Sequence, residues 1–172
     1  MVSGAGTIGL EILEDFPEVD AIVAPIGGGG LISGISVAVK SQRPGVRVFG
    51  AQPTGSPSMK RAMEAGRVVV LDSVRSIADG MTGRAVFDDT LAFAKRYVED
   101  VLLVSDASLL RAMTLLLTRC KLLAEGAGAG PLAALLDGSL PLPPGSKVVA
   151  MISGGNQDLT LLERWLTEGL PS

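Results

Sequence analysis

Ala21-Ile22-Val23-Ala24-Pro25-Ile26-Gly27-Gly28-Gly29-Gly30-Leu31-Ile32-Ser33-Gly34 is the stretch on which the fold turns. Ala21 to Ile26 is apolar throughout, the pattern of a strand buried on both faces. The four glycines lead into helix-period sequence from about Leu31 to Ser41. Successive residues without Cβ let backbone N–H groups converge on an anion, and a helix N-terminus adds a favourable dipole. The lysine and adjoining hydroxyl of a triphosphate-binding P-loop do not follow. A single phosphate carried by a cofactor therefore suits this loop better than a nucleoside triphosphate. A ligand-free strand-to-helix turn is the alternative on local sequence alone.

Outward from this stretch, short apolar runs alternate with helical periodicity. Val46 to Ala51 reads as the next strand, followed by a turn at Pro53-Thr54-Gly55 and a helix near Pro57 to Ala65. Val68 to Leu71 suggests a short strand. Thr90 to Val98 reads as a helix and Val101 to Val104 as a strand. Ser105 or Asp106 then caps a long helix to about Leu123. A further helix lies near Pro131 to Leu136, Lys147 to Ile152 is a buried strand, and Asp158 to Leu166 closes the chain as a helix. Apolar strands separated by helices predict one α/β domain over residues 1–172, a parallel sheet flanked by helices on both faces in three layers.

Composition narrows the chemistry. The 172 residues are 47% hydrophobic and 19% charged, which is globular and far from the disordered range. A net charge of -3 and 3% aromatics provide neither a basic footprint nor stacking platforms, so no nucleic-acid partner is expected. One cysteine, Cys120, excludes an internal disulfide framework. It and the methionines are expected to fill core. Histidine is absent, which removes histidine bases and the commonest metal ligand together. No apolar run reaches the roughly 18 residues of a membrane span. Met1-Val2-Ser3-Gly4 lacks a signal segment, so a cytoplasmic setting is expected.

Two further glycine motifs stand in the chain. Gly4-Ala5-Gly6-Thr7-Ile8-Gly9 matches the dinucleotide pattern, which needs a preceding strand and an acidic residue about 20 positions on. Only Met1 to Ser3 precede it, and Glu11, Glu14 and Asp15 lie in the next helix, so it is read as a helix-start loop. Ile152-Ser153-Gly154-Gly155-Asn156 ends the last strand. Ligands in parallel sheets bind beyond the carboxyl ends of strands, which puts Ser153 at the same edge as the tetraglycine loop. Its hydroxyl can donate to or accept from a ring nitrogen; a plain strand-ending turn is the alternative.

Taken together, Gly6–Ile12, Gly27–Leu31, Ser76–Gly80, Lys121–Ala129 and Ser153–Asn156 resemble the fold type II pyridoxal-phosphate enzymes, in their family order. Within these the likeness is to the threonine dehydratase and serine racemase group. The resemblance implies the large domain of the tryptophan synthase β-like fold and pyridoxal 5'-phosphate as cofactor. It implies a phosphate cup at Gly27, Gly28, Gly29, Gly30 and Leu31, a pocket wall at Gly80, and a pyridine-nitrogen partner at Ser153 with Gly154 beside it. Glu125 resembles the family's glutamate near the cofactor ring and is the candidate catalytic group, a solvated helix-end carboxylate being the alternative. A neutral Ser153 would leave the ring a weaker electron sink than a carboxylate would, which suits β-elimination. The implied reaction removes the β-hydroxyl of L-threonine or L-serine to give a 2-oxo acid and ammonia. A serine racemase-like activity, or a non-catalytic remnant binding phosphate or a partner chain, are the competing readings.

Two departures bear on that implication. Several relatives hold a divalent cation through a Glu and an Asp after the second strand, where this chain has Gln52 and Ser58 with Ser56 between them; no such tight metal site is expected, monovalent or empty occupancy being the alternatives. The family's Schiff-base lysine lies upstream of the matching region, and Lys40, Lys60, Lys95, Lys121 and Lys147 do not match it. Lys121 is the tempting substitute near Glu125, but an ordinary surface lysine is the preferred reading. The chain therefore resembles the C-terminal part of a dehydratase large domain, without the small domain and N-terminal segment. A fragment, a split gene or a misplaced start would each produce it. The isolated chain is expected to be inactive, and to form a homo-oligomer or pair with a complementing N-terminal portion through an exposed apolar face.

Overall fold

The computed structural model describes residues 2–169. Helix α1 (Val2–Asp15) leads into β1 (Ala21–Pro25), α2 (Gly30–Gln42), β2 (Arg47–Pro53) and α3 (Ser58–Ala65). After a long connection come α4 (Asp88–Tyr97), β3 (Asp100–Val104) and α5 (Asp106–Leu115). The chain ends with α6 (Gly126–Leu136), β4 (Val148–Ala150) and α7 (Leu159–Glu168). All strand pairings are parallel, in the order β3-β2-β1-β4, with Ala21 opposite both Arg47 and Val148.

Strand periodicity divides the core in two. Ala21, Val23, Phe49, Ala51, Leu102 and Val104 face one side, where Leu109, Met113, Ala129, Ala133 and Leu162 of α5, α6 and α7 cover them. Ile22, Ala24, Val48 and Val101 face the other, against Leu13, Ile32, Ile35, Met59, Ala62 and Leu91 from α1 to α4. Alternate side chains of a strand point to opposite faces, so strands apolar throughout need helices on both. The three-layer α/β expectation is met.

The departures from expectation have local causes. The glycines from Gly4 to Gly9 lie inside α1 and form no loop. They serve packing: a Cβ on Gly9 would sit 3.0 Å from the Ile35 carbonyl oxygen, so α1 and α2 approach at backbone distance. Val68 to Leu71 forms no strand; Leu71 N–H instead donates to Arg84 O at 2.7 Å within the connection. The helix expected to reach Leu123 closes earlier. After α5 a π-turn over Leu116–Cys120 ends at Lys121, whose φ of 60° is left-handed, and Cys120 is exposed there rather than in the core. Met59, Met81 and Met113 are buried as expected. Helix α6 begins at Gly126, five residues ahead of Pro131, which lies inside it. Proline's preference for the first helical turn suggests the later start. The Gly-Ala run is helical because neighbours crowd it: a Cβ on Gly126 would lie 2.9 Å from Ala78 Cα, and one on Gly130 3.0 Å from Met81 Cε.

Candidate functional site

In strand order 3-2-1-4 the chain runs outward from β1 through β2 to β3 and then crosses back to β4 on the other side of β1. The crevice between β1 and β4 is therefore the topological switch point where ligands bind in such sheets. The loop after β1 is Gly27–Gly30, and Ser153 follows β4. A cavity of about 530 Å³ opens there, lined by the four glycines and Leu31 on one side and by Glu125, Ala127 and Ser153 on the other. Gly80, Met81, Phe87 and Thr90 also line it. That volume lies within the range of small-molecule sites.

The loop geometry matches its sequence. Gly29 has φ of 92°, a left-handed conformation that L side chains rarely adopt, and it is the N-cap of α2. The first backbone hydrogen bond of the helix runs from Ser33 N–H to Gly29 O at 3.0 Å, which leaves the preceding first-turn N–H groups without helical acceptors. A Cβ on Gly27 would strike the Gly80 carbonyl oxygen, so the two backbones touch and close one end of the cup. Backbone amides and the dipole of α2 are thus the positive elements facing the cavity. Among the described residues lining it there is no Lys or Arg, and its ionisable groups are Asp89 and Glu125.

Glu125 is half-buried at the N-cap of α6, where its side chain makes no capping bond. Its N–H donates to Gly154 O at 3.1 Å, tying α6 to the turn after β4. Gly154 itself packs against Gly128 and the Glu125 carboxylate, beside the cavity rather than on its lining. Ser153 is exposed on the cavity wall. Lys121 lies off the cavity, exposed, with Nζ donating to Thr118 O at 2.8 Å at the end of its own turn.

Gln52 has another task. It is fully buried, and its Oε1 accepts from Met59 N–H at 3.0 Å and Lys60 N–H at 3.2 Å, satisfying the N-terminus of α3. Its amide nitrogen donates to Ser58 Oγ at 3.2 Å and Ile26 O at 3.4 Å, so the same side chain braces the residue ahead of the glycines. Ser56 Oγ donates to Gly83 O and accepts from Gly83 N–H, both at 3.2 Å. These neutral groups are engaged in joining loops, and no carboxylate stands among them. Groups of three or more His, Cys, Asp or Glu side chains able to hold a metal are absent among the described residues.

Two residues of the site escaped the sequence reading. Thr90 Oγ1 lies 2.8 Å from the carbonyl oxygen of Gly28, and the exposed ring of Phe87 stands beside the same glycine. Both come from the start of α4, some 60 residues away in sequence. The one available signal was the hydroxyl of Thr90 in a helix's first turn, which announces a cap but not a distant partner.

The cradle without Cβ atoms, the free first-turn amides and a hydroxyl across the crevice fit a phosphorylated ring. Residues 1–154 match the family model described as pyridoxal-phosphate dependent enzyme. The chain belongs to that family. An L-threonine ammonia-lyase of Thermotoga maritima is 42% identical over 99% of this chain and 42% of its own. A serine racemase of Oryza sativa subsp. indica is 39% identical over 94% of this chain and 48% of its own. Among solved structures, a threonine deaminase from T.th. superposes with a TM-score of 0.86 at 38% identity, covering 91% of this chain and 58% of that one. The sequence relatives thus include threonine ammonia-lyases and a serine racemase, and pyridoxal phosphate is the family's cofactor. The chain spans about half the length of the curated relatives it matches. No described helix is long and apolar enough to cross a membrane.

Proposed function

We propose that this chain forms the phosphate-binding half of a pyridoxal-phosphate-dependent ammonia-lyase acting on L-threonine or L-serine. The observation that carries the proposal is the tetraglycine cup facing Ser153 across the switch point. The N–H groups at the start of α2 would hold the phosphate, the Gly80 backbone would bound the ring, and the Ser153 hydroxyl would meet its nitrogen. When bound, the cofactor supplies an electron sink for cleaving bonds at the substrate's α-carbon. A hydroxyl partner would leave the ring a weaker electron sink than a carboxylate would, which suits reactions in which a β-leaving group takes the electrons at once. Glu125, half-buried on the cavity wall and free of a capping bond, would exchange a proton with a group at the ring edge.

No lysine lines the cavity among the described residues, and in this reading the lysine that would hold the cofactor covalently belongs to another part of the complete enzyme. Leu123, whose carbonyl lies against Gly155, and Ile152, next to Ser153 in the chain, are exposed and suit the apolar side of the complementing portion or of a second copy. The similarity to lyases and racemases alike leaves the product as the discriminating observable.

Titration of the purified chain with pyridoxal phosphate tests the reading. Saturable binding is expected, without an imine absorbance band and without a lysine trapped by borohydride. Failure to bind would overturn the cup, and one specifically trapped lysine would overturn the outside supply. A complete polypeptide carrying this chain is expected to release ammonia and a 2-oxo acid from L-threonine or L-serine. Production of D-serine without ammonia would assign it to racemisation instead.

A further inference from the structure

We propose that Thr90 is a positioning residue for the phosphate cup, fixing the direction of its amides through the carbonyl of Gly28. The inference rests on reading the tetraglycine loop as the cofactor's cup, and it names the side chain that holds that loop in shape. Thr90 is 7% exposed, so its hydroxyl must find partners within the protein. Three are in reach. Phe87 N–H donates to Oγ1 at 3.3 Å, and the carbonyl oxygens of Gly28 and Phe87 lie 2.8 Å and 3.0 Å from it.

The hydroxyl has one proton for two acceptors. Phe87 O already receives Leu91 N–H at 2.9 Å, as the first hydrogen bond of α4. Gly28 O has no other donor among the described residues, and it is the nearer acceptor. The proton therefore belongs on Gly28 O. In a planar trans peptide the carbonyl of one residue and the N–H of the next point in opposite directions. Holding Gly28 O against α4 thus aims Gly29 N–H away from α4 and prevents the peptide from flipping its carbonyl toward a bound anion.

Contact reinforces the hydrogen bond. A Cβ on Gly29 would lie 2.8 Å from both Thr90 Cβ and Met59 Cε, so the left-handed glycine rests directly on these two side chains. Serine at position 90 would keep the hydroxyl and lose the methyl, whereas alanine would lose both. Any difference between these two variants therefore reads the hydroxyl rather than the packing.

The test follows the backbone amide resonances of Gly28, Gly29 and Gly30 as pyridoxal phosphate is added to the chain and to its Thr90→Ser and Thr90→Ala variants. Thr90→Ser should retain the affinity and the Gly29 amide position of the unsubstituted chain. Thr90→Ala should bind about tenfold more weakly, the scale of one lost hydrogen bond, with the free-state Gly29 amide displaced. Equal weakening in both variants, or none in Thr90→Ala, would overturn the role of the hydroxyl. Should Thr90→Ala unfold, Thr90→Val keeps the shape without the hydroxyl and carries the same expectation. Absence of binding by the unsubstituted chain would instead overturn the cup, and the role of Thr90 with it.

Discussion

Gly28→Asp is expected to abolish pyridoxal-phosphate binding while leaving the fold intact. Gly28 is exposed, and its backbone lies outside the left-handed region that Gly29 occupies. A Cβ there meets only the Phe87 ring, at 3.2 Å from Cε2, and that ring is 69% exposed and free to swing aside. Folding thus has little reason to suffer. Binding does, because the new carboxylate stands where the phosphate must enter, and the lining offers amides and a helix dipole but, among the described residues, no Lys or Arg to offset it. Two unit charges about 4 Å apart repel by about 4 kcal/mol at an effective dielectric near 20, a loss of about three orders of magnitude in affinity. Calorimetry against pyridoxal phosphate, with a thermal melt on the same sample, separates the two effects. Gly28→Asn, similar in size but neutral, should lose much less. Equal losses in the two variants would mean that shape, and not charge, governs the cup.

The second large effect is on stability. Gly34→Val should cost about 3 kcal/mol or more, at the upper end of overpacking penalties. Gly34 is buried on α2, and a Cβ there would collide with the Val2 carbonyl and lie 2.7 Å from both Ala5 Cβ and Gly6 N. Backbone cannot yield as a side-chain tip can, so α1 must move as a unit. Val2 also lines the cavity, and displacing α1 is expected to loosen that wall as well. Urea denaturation should show the midpoint fall in Gly34→Val. An unchanged midpoint would mean that α1 adds nothing to the cooperative fold.

What could be read in the chain was what local pattern encodes. The apolar run before the glycines had to be a strand buried on both faces, and the change of period after them had to be a helix; both stand where expected, with the loop at their junction. Ser153 reached the right edge because parallel strands all end on the same side. Less legible were residues whose role depends on who arrives from elsewhere. Glycines from Gly4 to Gly9 look like a loop or a nucleotide motif until α2 is seen packed on them. The three glycines at the start of α6 have poor intrinsic helix propensity, and they are held by Ala78, Met81 and Gly154 instead. Thr90 is the sharpest case, since its hydroxyl acts on a carbonyl 62 positions away and no local spacing announces that. Gln52 shows the opposite limit. Sequence marked it as a place where relatives carry a carboxylate, but only the fold reveals that its amide caps α3 and braces Ile26 at once.

The tetraglycine cup is the central claim, and a crystal structure of the chain grown with pyridoxal phosphate tests it most directly. The phosphate is expected within hydrogen-bond distance of the N–H groups at the Gly28–Gly30 turn. The ring nitrogen should face Ser153 Oγ, with no covalent link to any lysine of the chain. A phosphate bound elsewhere on the molecule, or a ring joined to one of its own lysines, would contradict it.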